Sequence, residues 1–272
     1  MMDTTGRRTG DYGVSESIGF LLIFGMVIVG IGLVTLYGYP MLIQQQTSAD
    51  KQIMEKNMIV LQNDMKSLAY KTVPYKETML NIGSGTLTAY NASYVPTVAP
   101  NTRASIDIFP AGAGPGAGYV NFFHPGSLQY HSPSAGVDIA LQNGAVVTRD
   151  LVVTGSSMLA QPRWFYDDTT KTMVVNLISV NSSFPIARSG VGTVQMTMKN
   201  TNFSVTTIPA GTASVCLKYT PESGQDYSKA WDDYLITTMK MDHTNCGSDY
   251  RLPITSGGIL VVKEYDVEIL SI

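Results

Sequence analysis

The chain has 272 residues, with 18 basic and 21 acidic side chains and a formal net charge of −3. Its lysines and arginines form no dense run, and binding to phosphates requires clustered cations, so we expect no nucleic acid among the partners. The length is sufficient for an N-terminal apolar segment followed by one large or two small domains.

The first predicted element is a long apolar helix near the N-terminus. No charged residue lies between Glu16 and Asp50, and the apolar part ends near Ile43. This is longer than the roughly 20 residues that span a hydrocarbon core as a helix. Arg7 and Arg8 favour a cytoplasmic N-terminus, which places the chain beyond about residue 45 outside the cell.

A secretory signal peptide is the competing interpretation of this segment. The apolar region of such a peptide has only about 7 to 15 residues and ends at a small-residue cleavage site. Here the apolar run is longer and ends in the sequence Tyr37-Gly38-Tyr39-Pro40. We therefore expect that ordinary signal cleavage does not remove it.

The residues that open the helix follow a distinctive order. A short charged leader leads to Asp11-Tyr12-Gly13-Val14-Ser15-Glu16-Ser17, and the apolar run starts with Ile18-Gly19-Phe20. This order resembles the prepilin junction of archaeal type IV pilins, although leaders of that family often carry lysine or arginine beside the glycine. The resemblance implies that residues 1–13 are a leader, that a prepilin peptidase cuts between Gly13 and Val14, and that residues 14–43 form a transmembrane and filament-core helix.

Glu16 has two interpretations at this junction. A carboxylate at the mouth of an apolar segment is costly unless it is paired or lies at the interface. After cleavage at Gly13, Glu16 can pair with the new amino group of a neighbouring subunit and set the register of assembly. Alternatively, it is an interfacial residue that the helix dipole stabilises by about 0.3 to 1 kcal/mol.

Residues 44–73 are predicted to continue the helix in amphipathic form until Pro74 stops it. Pro40 is expected to kink the helix or to melt one turn. Pilins are similar in having a long N-terminal helix, but a membrane-spanning sensor can carry one too. The expected buried positions recur at spacings of three and four: Ile53, Asn57, Val60 or Leu61, Met65 and Leu68.

Residues 74–272 are predicted to form a head rich in β-strands, because the hydrophobic period changes from helical to alternating. The clearest hairpin joins strands at 137–142 and 145–149 through Asn143-Gly144, a pair suited to the positive φ angles of a tight turn. One short helix is predicted at 228–239. Further strands are predicted at 86–90, 104–109, 164–166, 172–178, 193–198, 214–219 and 259–269.

The predicted fold class is therefore α+β, with a long N-terminal membrane or stalk helix and a mostly antiparallel, β-sandwich-like extracellular head. The glycine-rich stretch 111–118 lacks the Lys-Ser/Thr pair of a phosphate loop and is interpreted as a turn or loop. It gives no domain boundary, so we expect one head.

Cys216 and Cys246 are the two cysteines of the chain. In a segment outside the cell, an even pair favours a disulfide, whereas a zinc site would need further ligands at regular spacings. The bond would close a loop of about 30 residues and contribute roughly 3 to 4 kcal/mol by the loop-entropy estimate. Two free, buried thiols are the alternative.

Three Asn-x-Ser/Thr sequons lie in the expected external part, at Asn91, Asn181 and Asn202. Each lies where a loop or strand end is predicted, so the topology permits glycosylation there. Sequons also arise by chance at this density in sequences rich in serine and threonine.

No pattern in the chain predicts catalysis. The histidines, His124, His131 and His243, have no spacing typical of a metal pair, and no nucleophile is accompanied by a base and an orienting group. Asp167-Asp168 is interpreted as a hairpin loop. We therefore expect no enzyme activity, no cofactor and no bound metal.

Parts of the head also look like archaeal pilin-like surface proteins, notably 143–149, 155–159 and Ala230-Trp231 with Tyr234. The resemblance implies a non-enzymatic, pilin-like subunit of a cell-surface filament whose head mediates adhesion or surface contact. Its expected partners are membrane lipid, the prepilin peptidase and other pilin-like subunits. The large head favours a minor subunit, and the alternative is a permanently anchored binding module that does not polymerise.

Overall fold

A computed structural model describes residues 12–71, 73–97, 99 and 102–272, with side chains from residue 17 onward. It confirms the α+β class, with a long apolar N-terminal helix and a β-rich head. The chain divides into two compact units, one ending at Ser48 and the other formed by Ala49–Ile272. Most of the predicted leader, residues 1–13, lies outside the described residues.

The N-terminal helix consists of α1 at Tyr12–Leu33, a π-helical segment at Val34–Gly38 and α2 at Tyr39–Tyr70. Proline at position 40 has no N–H, and its ring crowds the carbonyl four residues earlier. In the π-helical segment, the N–H of Tyr39 donates to the carbonyl oxygen of Val34, five residues back. The helix thus widens before the proline instead of losing a turn.

The buried face of α2 differs from the predicted one. Ile53 was expected on this face but is 42% exposed, so this assignment was wrong. Of the two alternatives Val60 and Leu61, Leu61 is the buried residue. Asn57 is half-buried, and its side-chain amide donates to the carbonyl of Asn81 at 3.1 Å. Unbranched methionine adapts to an irregular sheet surface, which explains why methionines dominate the face. The buried residues are Met54, Met58, Leu61, Gln62, Met65 and Leu68.

The described residues of the head form thirteen strands, a short helix α3 at Ser228–Asp233 and a π-helical segment at Tyr234–Thr238. The strands are β1 Tyr75–Tyr90, β2 Ser105–Pro110, β3 Val120–Phe123, β4 Ser127–Ser132, β5 Val137–Gln142, β6 Ala145–Asp150, β7 Ser156–Ala160, β8 Phe165–Asp167, β9 Thr172–Asn181, β10 Ile186–Thr207, β11 Val215–Thr220, β12 Tyr250–Arg251 and β13 Ile259–Ser271.

These strands form two sheets. The larger has nine strands in the order β7-β6-β5-β4-β1-β10-β13-β9-β8, and the smaller has the order β12-β11-β2-β3. Among the described residues, every pair of neighbouring strands is antiparallel except β13 with β9. The prediction of a mostly antiparallel head is confirmed.

Strand β10 joins the two halves of the larger sheet. Its residues 186–197 pair with β1, whereas residues 195–207 pair with β13. Within the described part of the chain, no strand pairs with residues 200–207 on the edge opposite β13. This end of β10 is consequently exposed, and it carries Asn202.

Two hydrophobic cores lie on the two faces of the larger sheet. Between the sheet and α2, the first core contains Met58, Leu61 and Leu128. The second lies between the two sheets and contains α3, with Trp231 5.7 Å from Trp164 by ring centroids. Apolar side chains on both faces account for the sandwich-like arrangement.

Candidate functional site

The apolar N-terminal helix is the first candidate, because it exposes its side chains on every side. Its large apolar residues between Ile18 and Ile43 are 43% to 78% exposed. A helix that is apolar all round is stable only when lipid or other protein covers it. Of the described helices, it alone is long and apolar enough to cross a membrane, and a signal sequence near the N-terminus would have the same property.

Three hydroxyls of this helix, those of Thr35, Thr47 and Ser48, have partners within the helix itself. The hydroxyl of Thr35 donates to the carbonyl of Ile31 at 2.8 Å, and the hydroxyl of Ser48 donates to the carbonyl of Gln44 at 2.9 Å. In hydrocarbon, an unpaired polar group costs several kcal/mol. The described helix can therefore enter an apolar environment without leaving these hydroxyls unpaired.

The predicted processing and assembly residues lie at the start of α1. Gly13, Val14 and Glu16 belong to the helical backbone that begins at Tyr12. Their side chains lie outside the described residues. Cleavage between Gly13 and Val14, and the assembly role of Glu16, stay predictions.

The two cysteines form the predicted disulfide. Cys216 on β11 is bonded to Cys246 in the loop that precedes β12. The loop has its own turn hydrogen bonds, from the N–H of Cys246 to the carbonyl of His243 and from that of Asp249 to the carbonyl of Cys246, both 3.1 Å. The bond thus fixes a structured loop to the smaller sheet.

Two of the three sequons lie together. Asn91 and Asn181 line the same surface depression of about 500 Å³. The amide of Asn91 donates to the carbonyl of Ser182 at 2.8 Å, and that of Asn181 donates to the carboxylate of Asp266. Both amide nitrogens are thus already engaged within the head.

Asn202 differs from the other two sequon asparagines. It lies on the exposed end of β10, opposite Glu264 of β13. Within the described residues, its side chain makes no hydrogen bond that would compete with a glycan. No feature of the sequence alone separated this sequon from the others. The difference arises because β1 pairs only with residues 186–197 of β10, which, among the described strands, leaves the segment around Asn202 unpaired on that edge.

The histidines do not converge. His124 is 2.7 Å from Arg103, between its Nε2 and an arginine Nη2, and His243 is 2.9 Å from the carbonyl of Asp249. The described residues include no group of three or more His, Cys, Asp or Glu side chains that could hold a metal.

Asp138 is a buried carboxylate at the centre of a polar network that the sequence did not reveal. Its carboxylate lies 2.6 Å from Nδ1 of His131 and 2.5 Å from Nη2 of Arg149. The three residues stand opposite one another on β4, β5 and β6. The same guanidinium donates to the carbonyl of Gly224 at 2.7 Å. The network ties three strands to the loop before α3, and its described contacts include no serine or cysteine nucleophile.

Glu222 is a carboxyl group whose pKa is raised by burial. Its side chain is 8% exposed, and burial raises its pKa to about 7. It lies in the same loop as Gly224, between β11 and α3. Burial favours the neutral form of a carboxyl group, so Glu222 gains or loses its proton near neutral pH.

Comparison with known proteins gives a family but no function. A family model described as "Family of unknown function (DUF7289)" matches residues 13–261, which include the apolar helix and nearly all of the head. No curated protein matches the chain, and no solved structure does.

Proposed function

We propose that this chain, which belongs to the family of unknown function DUF7289, is a non-enzymatic, pilin-like subunit of a cell-surface filament. It is inserted in the membrane by its apolar helix before assembly, and it presents the β-rich head outside the cell. Adhesion or contact with surfaces is the task of the head. A large head favours a minor subunit.

The observation that carries the proposal is the continuous helix Ser17–Tyr70. Its first part exposes apolar side chains all round, whereas Met54 to Leu68 supply a face buried in the head. Such a helix can lie in lipid and later exchange lipid for neighbouring helices. Around Gly19, Gly25 and Gly30 there is open space where a Cβ would lie, which lets another backbone approach closely.

The family match covers both the apolar helix and most of the head. The matched region begins at Gly13, the residue before the proposed cleavage point. Cleavage there would leave Val14 as the new N-terminus, with Glu16 two residues away. A pair between this amino group and Glu16 of a neighbouring subunit would set the axial register.

The second candidate function is a permanently anchored binding module. It needs only the apolar helix and a stable head, both of which are present. The two proposals differ in whether the leader is removed and whether the protein leaves the membrane.

The test is the N-terminal sequence and mass of native protein from membranes and from sheared cell-surface material. We expect a chain that begins at Val14 in the sheared fraction. An intact leader confined to membranes would overturn the filament proposal and leave the anchored module.

A second test separates processing from assembly. Glu16→Gln should abolish filaments while cleavage at Gly13 continues, because it removes the charge that would pair with the new amino group. Ser15→Ala is the matched control, since it changes the neighbouring residue without a change in charge. Normal filaments from Glu16→Gln would contradict the assembly role.

A further inference from the structure

Two adjoining surface depressions lie where α2 ends, and both are lined by Tyr70 and Arg163. One measures about 470 Å³ and also contains Lys66 and Lys71. The other measures about 340 Å³ and also contains Lys263. We call the two together the cationic depression. It gathers four basic side chains in a chain whose net charge is −3.

The charge in the cationic depression is not compensated. No aspartate or glutamate lines either part. The ion pairs among the described residues all involve other cations. Lys66 Nζ donates instead to the backbone carbonyl of Gln161 at 3.0 Å.

Two of the four cations, Lys66 and Arg163, are positioned by neighbouring groups. The guanidinium of Arg163 lies over the ring of Tyr70, 4.8 Å from its centroid. Burial, and then the charge of Arg163, lower the pKa of Lys66, so the two cations are close enough to repel each other. An anion placed between them would relieve this repulsion and form charge-assisted hydrogen bonds.

The aromatic residues of the cationic depression are poorly placed to stack nucleobases. Arg163 covers one face of Tyr70, and Tyr265 is 7% exposed and meets Tyr70 edge-on at 5.3 Å. Phe165 is half exposed and offers an apolar surface beside Lys263. The basic side chains are spread over two adjoining depressions, so they suit a polymer that carries an anionic group on each repeating unit. The exposed ring of Phe165 suits a polymer whose units are sugar rings with an apolar face.

We propose that the cationic depression binds an acidic polysaccharide through the carboxylate or sulfate groups on its sugar rings. This inference rests on the proposed function in one respect, that the head lies outside the cell, where such polymers occur. Binding by the purified protein requires neither leader cleavage nor assembly. A failure to bind and a failure to form filaments are therefore separate results.

The experiment measures binding of the full chain, purified in neutral detergent, to immobilised polysaccharides at low and high salt. The probes are heparin for sulfate groups, polygalacturonate for carboxylate groups and dextran as the neutral polymer. The test variant carries Lys66→Gln, Lys71→Gln and Lys263→Gln. The control variant makes the same change in net charge at lysines outside the cationic depression: Lys56→Gln, Lys218→Gln and Lys240→Gln.

We expect one or both acidic polymers to bind, dextran not to bind, and high salt to weaken binding. The test variant should bind about tenfold more weakly, since three surface ion pairs are lost, whereas the control should stay within about twofold of the unchanged protein. Both variants should retain the thermal unfolding midpoint of the head, which excludes misfolding as the cause.

Three outcomes would overturn the proposal. The first is equal binding of acidic polymers and dextran. The second is an equal loss of binding in the test and control variants. The third is tighter binding of an oligothymidylate, or of phosphatidylglycerol vesicles, than of either acidic polysaccharide, which would assign the cationic depression to nucleic acid or to lipid.

Discussion

Gln62 on α2 donates a hydrogen bond to the carbonyl of Gly144, 2.7 Å away and 82 residues along the chain. The same amide nitrogen donates to the carbonyl of Gln161 at 3.0 Å. Gln62 is 2% exposed. One buried side chain thus fastens the helix to the turn between β5 and β6 and to the segment after β7.

The first prediction concerns this contact. Gln62→Leu keeps the size of the side chain but removes the donor to the carbonyl of Gly144, whereas the carbonyl of Gln161 keeps Lys66 as a donor. The free energy of unfolding of the head should therefore fall by about 1 to 3 kcal/mol. Urea unfolding of the full chain in detergent, followed by tryptophan fluorescence, measures this. Both tryptophans, Trp164 and Trp231, lie buried in the head.

Gln52→Leu is the matched control for Gln62→Leu. Gln52 lies on the same helix and is exposed. This substitution should change the free energy of unfolding by less than about 0.5 kcal/mol. Equal effects of the two substitutions would show that the hydrogen bonds of Gln62 add nothing to stability.

The contact of Gln62 illustrates what could be predicted from the sequence. Both the helix and the Asn143-Gly144 hairpin were predicted, because each depends on neighbouring residues, and the turn has the expected positive φ angles of 49° and 70°. Their contact depends on residues far apart in sequence. Periodicity reports which residues share a face but not what that face touches.

The errors in the predicted elements have a similar cause. Ile53 was chosen for the buried face because it fits the spacing of three and four with Asn57 and Leu61, but the neighbouring Met54 is the fully buried residue. Strand β4 was not predicted, since Ser127 and Gln129 break the apolar pattern although both are buried. Strands β3, β7 and β12 were also missed, and they are short.

The candidate site was predicted unevenly for the same reason. The apolar helix and the cysteine pair are visible in the sequence, because length and composition define the first and an even number of cysteines suggests the second. Lys66, Arg163 and Lys263 lie on three separate segments. Only the fold brings them together, so no local run of basic residues in the sequence predicted the cationic depression.

The second prediction concerns the disulfide between Cys216 and Cys246. Replacing both cysteines by serine should lower the free energy of unfolding of the head by about 3 kcal/mol, because the unfolded chain regains the freedom of a loop of about 30 residues. Urea unfolding with and without reductant measures this. Reductant should destabilise the unchanged protein and leave the double variant unaffected, and the opposite pattern would contradict the role of the bond.

The third prediction ranks the sequons. If the native protein is glycosylated, Asn202 should be the most fully occupied site, because it is exposed and its amide is not engaged by the described residues. Mass spectrometry of peptides from native protein measures occupancy at each asparagine. Higher occupancy at Asn91 or Asn181 than at Asn202 would contradict this ranking.

A matched pair of substitutions distinguishes an asparagine that stabilises the fold, Asn91, from one that is expected to carry a glycan, Asn202. Asn91→Gln should weaken the head, because Asn91 donates to the carbonyl of Ser182 and its side-chain oxygen accepts from the N–H and the hydroxyl of Ser93, at 2.9 Å each. Asn202→Gln should remove a glycan without changing the stability of unglycosylated protein. Urea unfolding of protein produced in a host without glycosylation distinguishes the two effects.

The fourth prediction concerns pH and Glu222. Burial raises the pKa of this carboxyl group from 4.5 to about 7, so the folded state binds a proton more tightly than the unfolded state. The contribution of Glu222 to stability is therefore fully present below about pH 4.5, decreases as the pH rises and is lost above about pH 7. Over this whole window it should amount to about 3 kcal/mol.

Glu222→Gln isolates this effect, because glutamine has nearly the same shape and cannot ionise. Between pH 5 and pH 8, the unchanged protein should lose about 2 kcal/mol more in its free energy of unfolding than the variant does. Glu55→Gln, on α2, is the control for the loss of one carboxylate. Parallel stability profiles for the unchanged protein and Glu222→Gln would show that Glu222 does not take up a proton on folding, and that another group controls any dependence on pH in this range.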